Sequence, residues 1–328
     1  MRSAELIEVW RGGQRESLHC GDAVVCDSKG LVEAWGRPGQ IVFPRSSCKM
    51  IQALPLIESG AADAAGLSDR HLALACASHS GARIHVDAVG NWLAGLDMGE
   101  ADLRCGCHMP RDADENRRLT CGNEQPRQIH NNCSGKHAGF LTLNRHLRGG
   151  AEYVDPDHPV QQAVKAAFEE VTGEISPGHG IDGCSAPNWS CSLAGLGRAM
   201  ASFANPGDDR RGRAMRRLTE AMRAHPALVA GEGRACTILM RAMGGHVAAK
   251  TGAEAVFVAI LPDPGLGVAL KVTDGGMRAA EAAITALLVH LGALDGNDPA
   301  VGTFLTDPIR NWRGMATGEM RTAPGFPA

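Results

Sequence analysis

The sequence predicts a mixed α/β (α+β) fold, with a mainly antiparallel sheet built from both chain ends, flanking helices and a helical insertion. Three observations carry that expectation. Strand-like runs crowd the first forty residues, strand character returns only after residue 245, and the stretch between is helical in pattern. The runs at 6–10, 23–26 and 31–35 are β-rich and separated by Gly or Asp-Ser-Lys-Gly turns. Helical spacing takes over at 46, where Met50, Ala53, Leu54 and Ile57 share a stripe. It recurs near 69–77, 84–96, 134–147, 158–172, 191–204, 209–224 and 233–243. Strands return at 246–250, 254–261 and 267–272, and an alanine-rich helix follows at 276–291. Layering helices on such a sheet buries each apolar face. The expected organisation is one discontinuous unit over 1–328: a sheet subdomain of 1–45 and 245–328, and a helical subdomain of 46–244.

Composition narrows the function. An apolar fraction of 44% and a charged fraction of 21% describe an ordinary globular chain, and 328 residues suffice for a large core. Net charge is −3, and the one basic run, Arg210-Arg211-Gly212-Arg213 with Arg216-Arg217, reads as the solvated face of a helix. With aromatics at 4% there is little to stack on bases, so no nucleic-acid partner is expected. No apolar stretch is long enough to span a membrane, and the first residues lack the apolar core of a signal peptide. Eleven cysteines are an odd number in a chain too long to need disulfide staples. Reduced thiols and a cytoplasmic location are therefore expected.

Two motifs point to nucleophilic chemistry: Ser46-Ser47-Cys48-Lys49 and Lys250-Thr251-Gly252. A serine hydroxyl attacks well only when a nearby base takes its proton. Ser46 follows Pro44-Arg45, so it falls in a first helical turn, where the dipole favours developing negative charge. Lys49 lies three residues on and shares its face. It can take the proton only as a neutral amine, which burial and a second ammonium, Lys250, both favour. The Lys-Thr-Gly triplet is of the kind that accompanies a serine–lysine nucleophile in penicillin-recognising enzymes. Ser78, in the small-residue turn Cys76-Ala77-Ser78-His79-Ser80-Gly81, is a candidate proton relay. Ser47 is a competing nucleophile on another face. Lysine is scarce, six against 27 arginines, and arginine cannot serve as a neutral base.

A thiol cluster adds a second theme. In Asn131-Asn132-Cys133-Ser134-Gly135-Lys136-His137, either asparagine can cap the helix that follows, and Cys133, Lys136 and His137 can share a face. The turn Gly180-Ile181-Asp182-Gly183-Cys184 offers another thiol and a carboxylate. Thiolates with imidazole suit zinc, although this spacing is no standard finger. Cys105-Gly106-Cys107-His108 with Cys121 is a rival cluster, read as loop thiols without a metal. Cys236 opens an apolar helix and fits either core or site.

Taken in order, these blocks resemble the rhizobial-type, thermolabile L-asparaginases, serine-dependent amidohydrolases with a β-lactamase/penicillin-binding-protein-like fold. The resemblance runs through Pro44–Lys49, Cys76–Ser80, Ala101–Gly106, Asn132–His137, Asp182–Cys184, His225-Pro226 with 229–234, and Lys250 with Gly252-Ala253. The Asn-Cys-Ser-Gly-Lys-His block is the most specific. It implies two Ser–Lys pairs, Ser46 with Lys49 and Ser78 with Lys250, with Ser46 the nucleophile. It also implies zinc held by Cys133, Lys136 and Cys184, which takes Lys136 where spacing alone selects His137. Arg45, Asp182 and His137 then become candidates for substrate binding. The chain departs from the pattern at Cys48 and Cys107. The expected activity is hydrolysis of L-asparagine to L-aspartate and ammonia by a homodimer, with zinc orienting the substrate. Three rivals stand beside it: a glutaminase of the same broad fold, a β-lactamase-like hydrolase, and a non-catalytic zinc-binding amino acid sensor. Ser78-His79-Ser80 in place of Ser-Asp-Asn, and the missing export signal, count against the second.

Overall fold

The β-rich N-terminus folds as a meander of three antiparallel strands, Ala4–Arg11, Gln14–Asp27 and Gly30–Trp35. The computed structural model describes residues 2–327. Gln14–Asp27 is long enough to serve two neighbours. Its first half pairs with Ala4–Arg11, and 21–26 pairs with Leu266–Val272 from the other end of the chain. Val256–Leu261 and Ala248–Gly252 extend the sheet antiparallel, and with Ile309–Arg310 and Ala316–Thr322 the described residues form an eight-stranded sheet from both chain ends. Every residue of Val256–Leu261 is buried, so this strand, one in from the edge, is covered on both faces.

The chain divides into two compact units. One comprises Met1–Ser47, Ser192–Asn205 and Ile238–Ala328; the other comprises Cys48–Cys191 and Pro206–Thr237. The helix Leu193–Ala204 thus belongs with the sheet, where sequence reading places 191–204 in the helical part. The reason is close approach. A Cβ built on Gly267 would stand 2.1 Å from the Ala201 nitrogen and 2.5 Å from the Gly197 oxygen, so helix and strand meet backbone to backbone. Helix Met277–His290 packs on the same strands through an alanine-rich face.

The second unit is helical and centred on Ser134–Leu147, whose first eleven residues are all buried. Helix Asp69–Ala75 crosses it so closely that a Cβ on Gly135 would meet the Leu74 carbonyl at 2.5 Å. Trp92, on helix Arg83–Gly95, donates to Thr142 Oγ1 at 3.1 Å and ties a third helix to the same core.

Three elements differ from expectation. The stripe beginning at 46 is broken into a 3-10 turn, Arg45–Cys48, and short helices Lys49–Gln52 and Leu54–Glu58, because Pro55 starts a new helix. Helix Ala113–Cys121 has no apolar periodicity, burying only Glu115 and Leu119; its entry is set by Asp112, whose carboxylate accepts the Glu115 N–H at 3.0 Å. The C-terminal hairpin of Ile309–Arg310 and Ala316–Thr322 pairs with Ala4–Arg11, although its half-exposed strand shows no clean alternation. No helix among the described residues is long and apolar enough to cross a membrane.

Gly267→Ala is expected to push the Leu193–Ala204 helix off the sheet and cost about 1–3 kcal/mol. Urea unfolding of the variant against the parent measures it, with an unchanged midpoint contradicting the backbone contact.

Candidate active site

A buried cation organises the helical unit. Lys49 is 1% exposed, yet its ammonium reaches three acceptors: the Ala77 carbonyl, Ser78 Oγ at 3.0 Å and Cys133 Sγ at 3.1 Å. Three acceptors match the three N–H donors of an ammonium. Each acceptor is held in turn by its own element. Ala77 and Ser78 lie in the irregular segment that follows helix Asp69–Ala75, and it is fixed by Ser78 N–H to the Val229 carbonyl (2.9 Å) and His79 N–H to the Asn132 carbonyl (3.1 Å). Ser78 stays partly exposed. Cys133 is itself the cap residue of Ser134–Leu147, the position expected for Asn131 or Asn132. Asn131 instead braces the turn, accepting from Cys133 N–H at 2.8 Å and donating to the Cys105 carbonyl at 2.8 Å.

A second cation lies beyond the thiol. Lys136 Nζ donates to Cys184 Sγ at 3.0 Å, and the Cys133 thiol interacts with Cys184 electrostatically, with all three side chains buried. That interaction pushes the Cys133 thiol up to about 12, helped by burial. The same interaction, opposed by burial and aided by Lys136, draws Cys184 well below the usual thiol range. Burial pulls Lys136 down, but the charges of Cys184, Cys133 and Asp182 outweigh it and raise it. The lowered Cys184 and raised Lys136 both favour a thiolate facing an ammonium across the 3.0 Å contact. Asp182 sits in the turn that carries Cys184, where the Asp182 carbonyl accepts the Ser185 N–H at 2.8 Å.

His137, one residue on, is fully buried, and burial holds its imidazole well below its ordinary value, hence neutral. Its Nδ1 lies 2.8 Å from the Tyr153 hydroxyl, while Nε2 has no hydrogen-bond partner among the described residues.

The remaining sequence candidates lie in the sheet unit. Ser46 sits in the 3-10 turn, almost fully buried, and the preceding Arg45 takes the left-handed conformation at φ +55°. Such a conformation is costly for a non-glycine residue and collects at functional sites. Ser47, the competing nucleophile, is completely buried with its hydroxyl donated to the Pro44 carbonyl at 2.7 Å. Lys250 is fully buried on strand Ala248–Gly252 and donates to the Thr251 carbonyl at 2.8 Å. Gly252 lies so close to this turn that a Cβ would meet the Pro44 carbonyl at 2.5 Å, so the Lys-Thr-Gly strand abuts the Ser46 turn.

Three features escaped sequence reasoning. The direct Lys49–Ser78 bond joins residues 29 apart, where the expected partner of Ser78 was Lys250. Cys105 lies beside the thiol pair, buried and pushed up to about 12, with Sγ directed at the Gln128 carbonyl. Tyr153 touches His137 without belonging to any motif; its one signal is that it is the sole tyrosine. The rival cluster is dispersed: Cys107 and Cys121 are exposed, and His108 is bonded to the Met109 carbonyl and to Asn132. Among the described residues no three His, Cys, Asp or Glu side chains converge as a metal site. Cys236 is buried at the start of helix Ala235–Ala242.

Removing one member of the buried Lys136–Cys184 pair strands the other. Cys184→Ala in metal-free protein is expected to cost about 3–5 kcal/mol, and adding Lys136→Met should recover part of it. A double-mutant cycle in urea reads the coupling; additive losses would mean that the pair is not interacting.

A family model described as L-asparaginase II matches residues 7–322. No curated protein matches the chain. Among solved structures, a β-lactamase from Mycobacterium bovis aligns with 84% of this chain and 95% of its own, at 12% identity and a TM-score of 0.46. A protein named Mglu, in its native form, aligns with 85% of this chain at 13% identity and a TM-score of 0.49; the match spans 66% of the Mglu chain.

Proposed function

The chain belongs to the L-asparaginase II family and is an asparaginase-type amidohydrolase, and on that premise we propose that it converts L-asparagine to L-aspartate and ammonia through an acyl-enzyme on Ser46. The observation that carries this reading is the buried Lys49 amine, three residues along the chain from Ser46 and in direct contact with the Ser78 hydroxyl.

Lys49 acts as the neutral amine, its ammonium having first released a proton through the Ser78 hydroxyl, and takes the Ser46 proton while Oγ attacks the side-chain amide carbon. Backbone N–H groups of the Ser46 turn stabilise the oxyanion. The proton passes to the leaving nitrogen, ammonia departs, and water, deprotonated by the same base, releases aspartate. Ser78 and Lys250 form the second pair and relay protons, with the 3.0 Å Lys49–Ser78 bond supplying one leg of the relay. Arg45 receives the substrate carboxylate, Asp182 its ammonium, and His137 an oxygen. A homodimer working in the cytoplasm completes the proposal; the eleven free thiols suit a reducing compartment.

Zinc enters through the donor set Cys133, Lys136 and Cys184. Two thiols and an amine already in contact suit zinc, with water completing four ligands. When bound, the metal supplies positive charge that orients the substrate. Lys136 must surrender its proton to bind, so affinity falls as pH falls.

The Lys49–Ser78 contact also favours a second reading, in which Ser78 is the nucleophile. Ser46→Ala is expected to lower kcat by at least about 1,000-fold with folding intact. Acid quench during turnover followed by peptide mass spectrometry should find the aspartyl ester on the Ser46 peptide; an ester on the Ser78 peptide reassigns the nucleophile. With glutamine, one methylene longer, kcat/KM should drop about 10–200-fold, and ammonia from neither amide removes the assignment. Stripping zinc should raise KM far more than it lowers kcat; a collapse of kcat at saturating asparagine would make the metal the chemical agent.

A further inference from the structure

We propose that Arg111 and Arg234 form a carboxylate-binding subsite beside the loop that carries Ser78. The identity of that carboxylate as the substrate's or the product's rests on the proposed function; the subsite itself rests on main-chain geometry and charge.

The two arginines come from distant segments that close on one loop. Arg111 and Asp112 both donate their backbone N–H to the Ser80 carbonyl, at 2.8 and 3.0 Å. From a second segment the Val229 carbonyl accepts the Ser78 N–H at 2.9 Å, and Gly231 lies so close that a Cβ would stand 2.3 Å from Ser80 Oγ. Gly231 takes φ +110°, a conformation that glycine adopts freely and other residues rarely do. The chain then turns, with the Arg234 N–H meeting the Gly231 carbonyl at 3.4 Å. Arg111 and Arg234 are thereby anchored against the same loop, all within the helical unit.

Neither guanidinium has a carboxylate partner among the described residues, although carboxylates are close by. Asp112 turns its carboxylate to the Glu115 N–H, and Arg117 and Arg118 on the helix that follows answer Asp114 and Glu115. Arg111 is exposed and Arg234 half-buried, so a ligand can reach both from solvent. Desolvation and then the Arg234 charge draw Arg111 below its ordinary value, while Cys133 acts the other way. The two cations therefore feel one another, and they lie in the field of the thiol that Lys49 contacts. Two like charges without a counter-ion repel, and an anion between them reverses the repulsion. The planar fork of a guanidinium matches the two oxygens of a carboxylate. Both side chains stay charged at any ordinary pH, so the subsite depends on no titration.

Calorimetric titration of the intact protein with L-aspartate at low ionic strength tests the subsite without turnover. Arg111→Gln and Arg234→Gln should each weaken binding about tenfold, and the parent affinity should fall as salt rises. Arg111→Lys keeps the charge and loses the fork, so it should fall between parent and Arg111→Gln. Arg70→Gln removes an exposed charge at the opposite end of helix Asp69–Ala75 from the Ser78 loop and should bind as the parent does. Acetate, a carboxylate alone, should bind more weakly with the same ranking of variants. Kinetics with asparagine then identify the carboxylate. A KM that rises with the L-aspartate Kd assigns the one common to substrate and product; weakening of L-aspartate alone assigns the one that hydrolysis creates. No binding of either carboxylate by the parent overturns the proposal. So does affinity unchanged in both Gln variants, or an equal loss in Arg70→Gln, which reports net charge only. Absence of asparagine hydrolysis, with the arginine-dependent binding as expected, instead removes the substrate assignment and leaves the subsite standing.

Discussion

The helical unit is organised around the Lys49 ammonium, a charge that can be kept from water only if every donor is met. Leaving such a group unpaired would cost several kcal/mol, so its three acceptors act as constraints on three segments at once. The 77–78 loop supplies a carbonyl and a hydroxyl, and the start of helix Ser134–Leu147 supplies a sulfur. That is why a loop with no secondary structure is nevertheless precise. Its position is dictated by the lysine on one side and by main-chain bonds to Val229 and Asn132 on the other.

From Cys133 the same logic continues outward. Lys49 donates to Cys133 and Lys136 to Cys184, and the two thiols influence one another's titration in opposite directions. Each buried charge is answered by a neighbour, and the sulfur atoms take the place that carboxylates hold in a common buried ion pair. Such a network suits a site that must change protonation, because an amine or thiol can surrender a proton where a guanidinium cannot. With six lysines in the chain, three of them in these motifs, the chemistry explains the choice of residue.

Much of the fold was readable from pattern. Strands at 246–250, 254–261 and 267–272 and helices near 134–147 and 158–172 appear within a residue or two of expectation, because apolar period reports the buried face directly. Where burial is weak the pattern fails, as in helix Ala113–Cys121 and the C-terminal hairpin. Helix Leu193–Ala204 was visible as a helix, but its home on the sheet depends on a strand glycine some seventy residues later. For the site, the residue types were legible and the partnerships were not. Ser47, which spacing puts on another face from Lys49, is completely buried with its hydroxyl bonded to the Pro44 carbonyl, and neither its burial nor that bond is visible in the sequence.

The sequence by itself determined which groups could do chemistry: a serine and a lysine one helical turn apart, a Lys-Thr-Gly strand, and thiols beside a lysine. It did so because spacing along a helix or strand is a local property. Tertiary structure alone decided who meets whom. Lys49 with Ser78, Cys133 with Cys184, and His137 with Tyr153 are pairings across 16 to 51 residues of chain. They are set by how helices cross and which backbone groups remain to be satisfied. The lowering of the Cys184 thiol follows from those pairings, and no short stretch of sequence contains it.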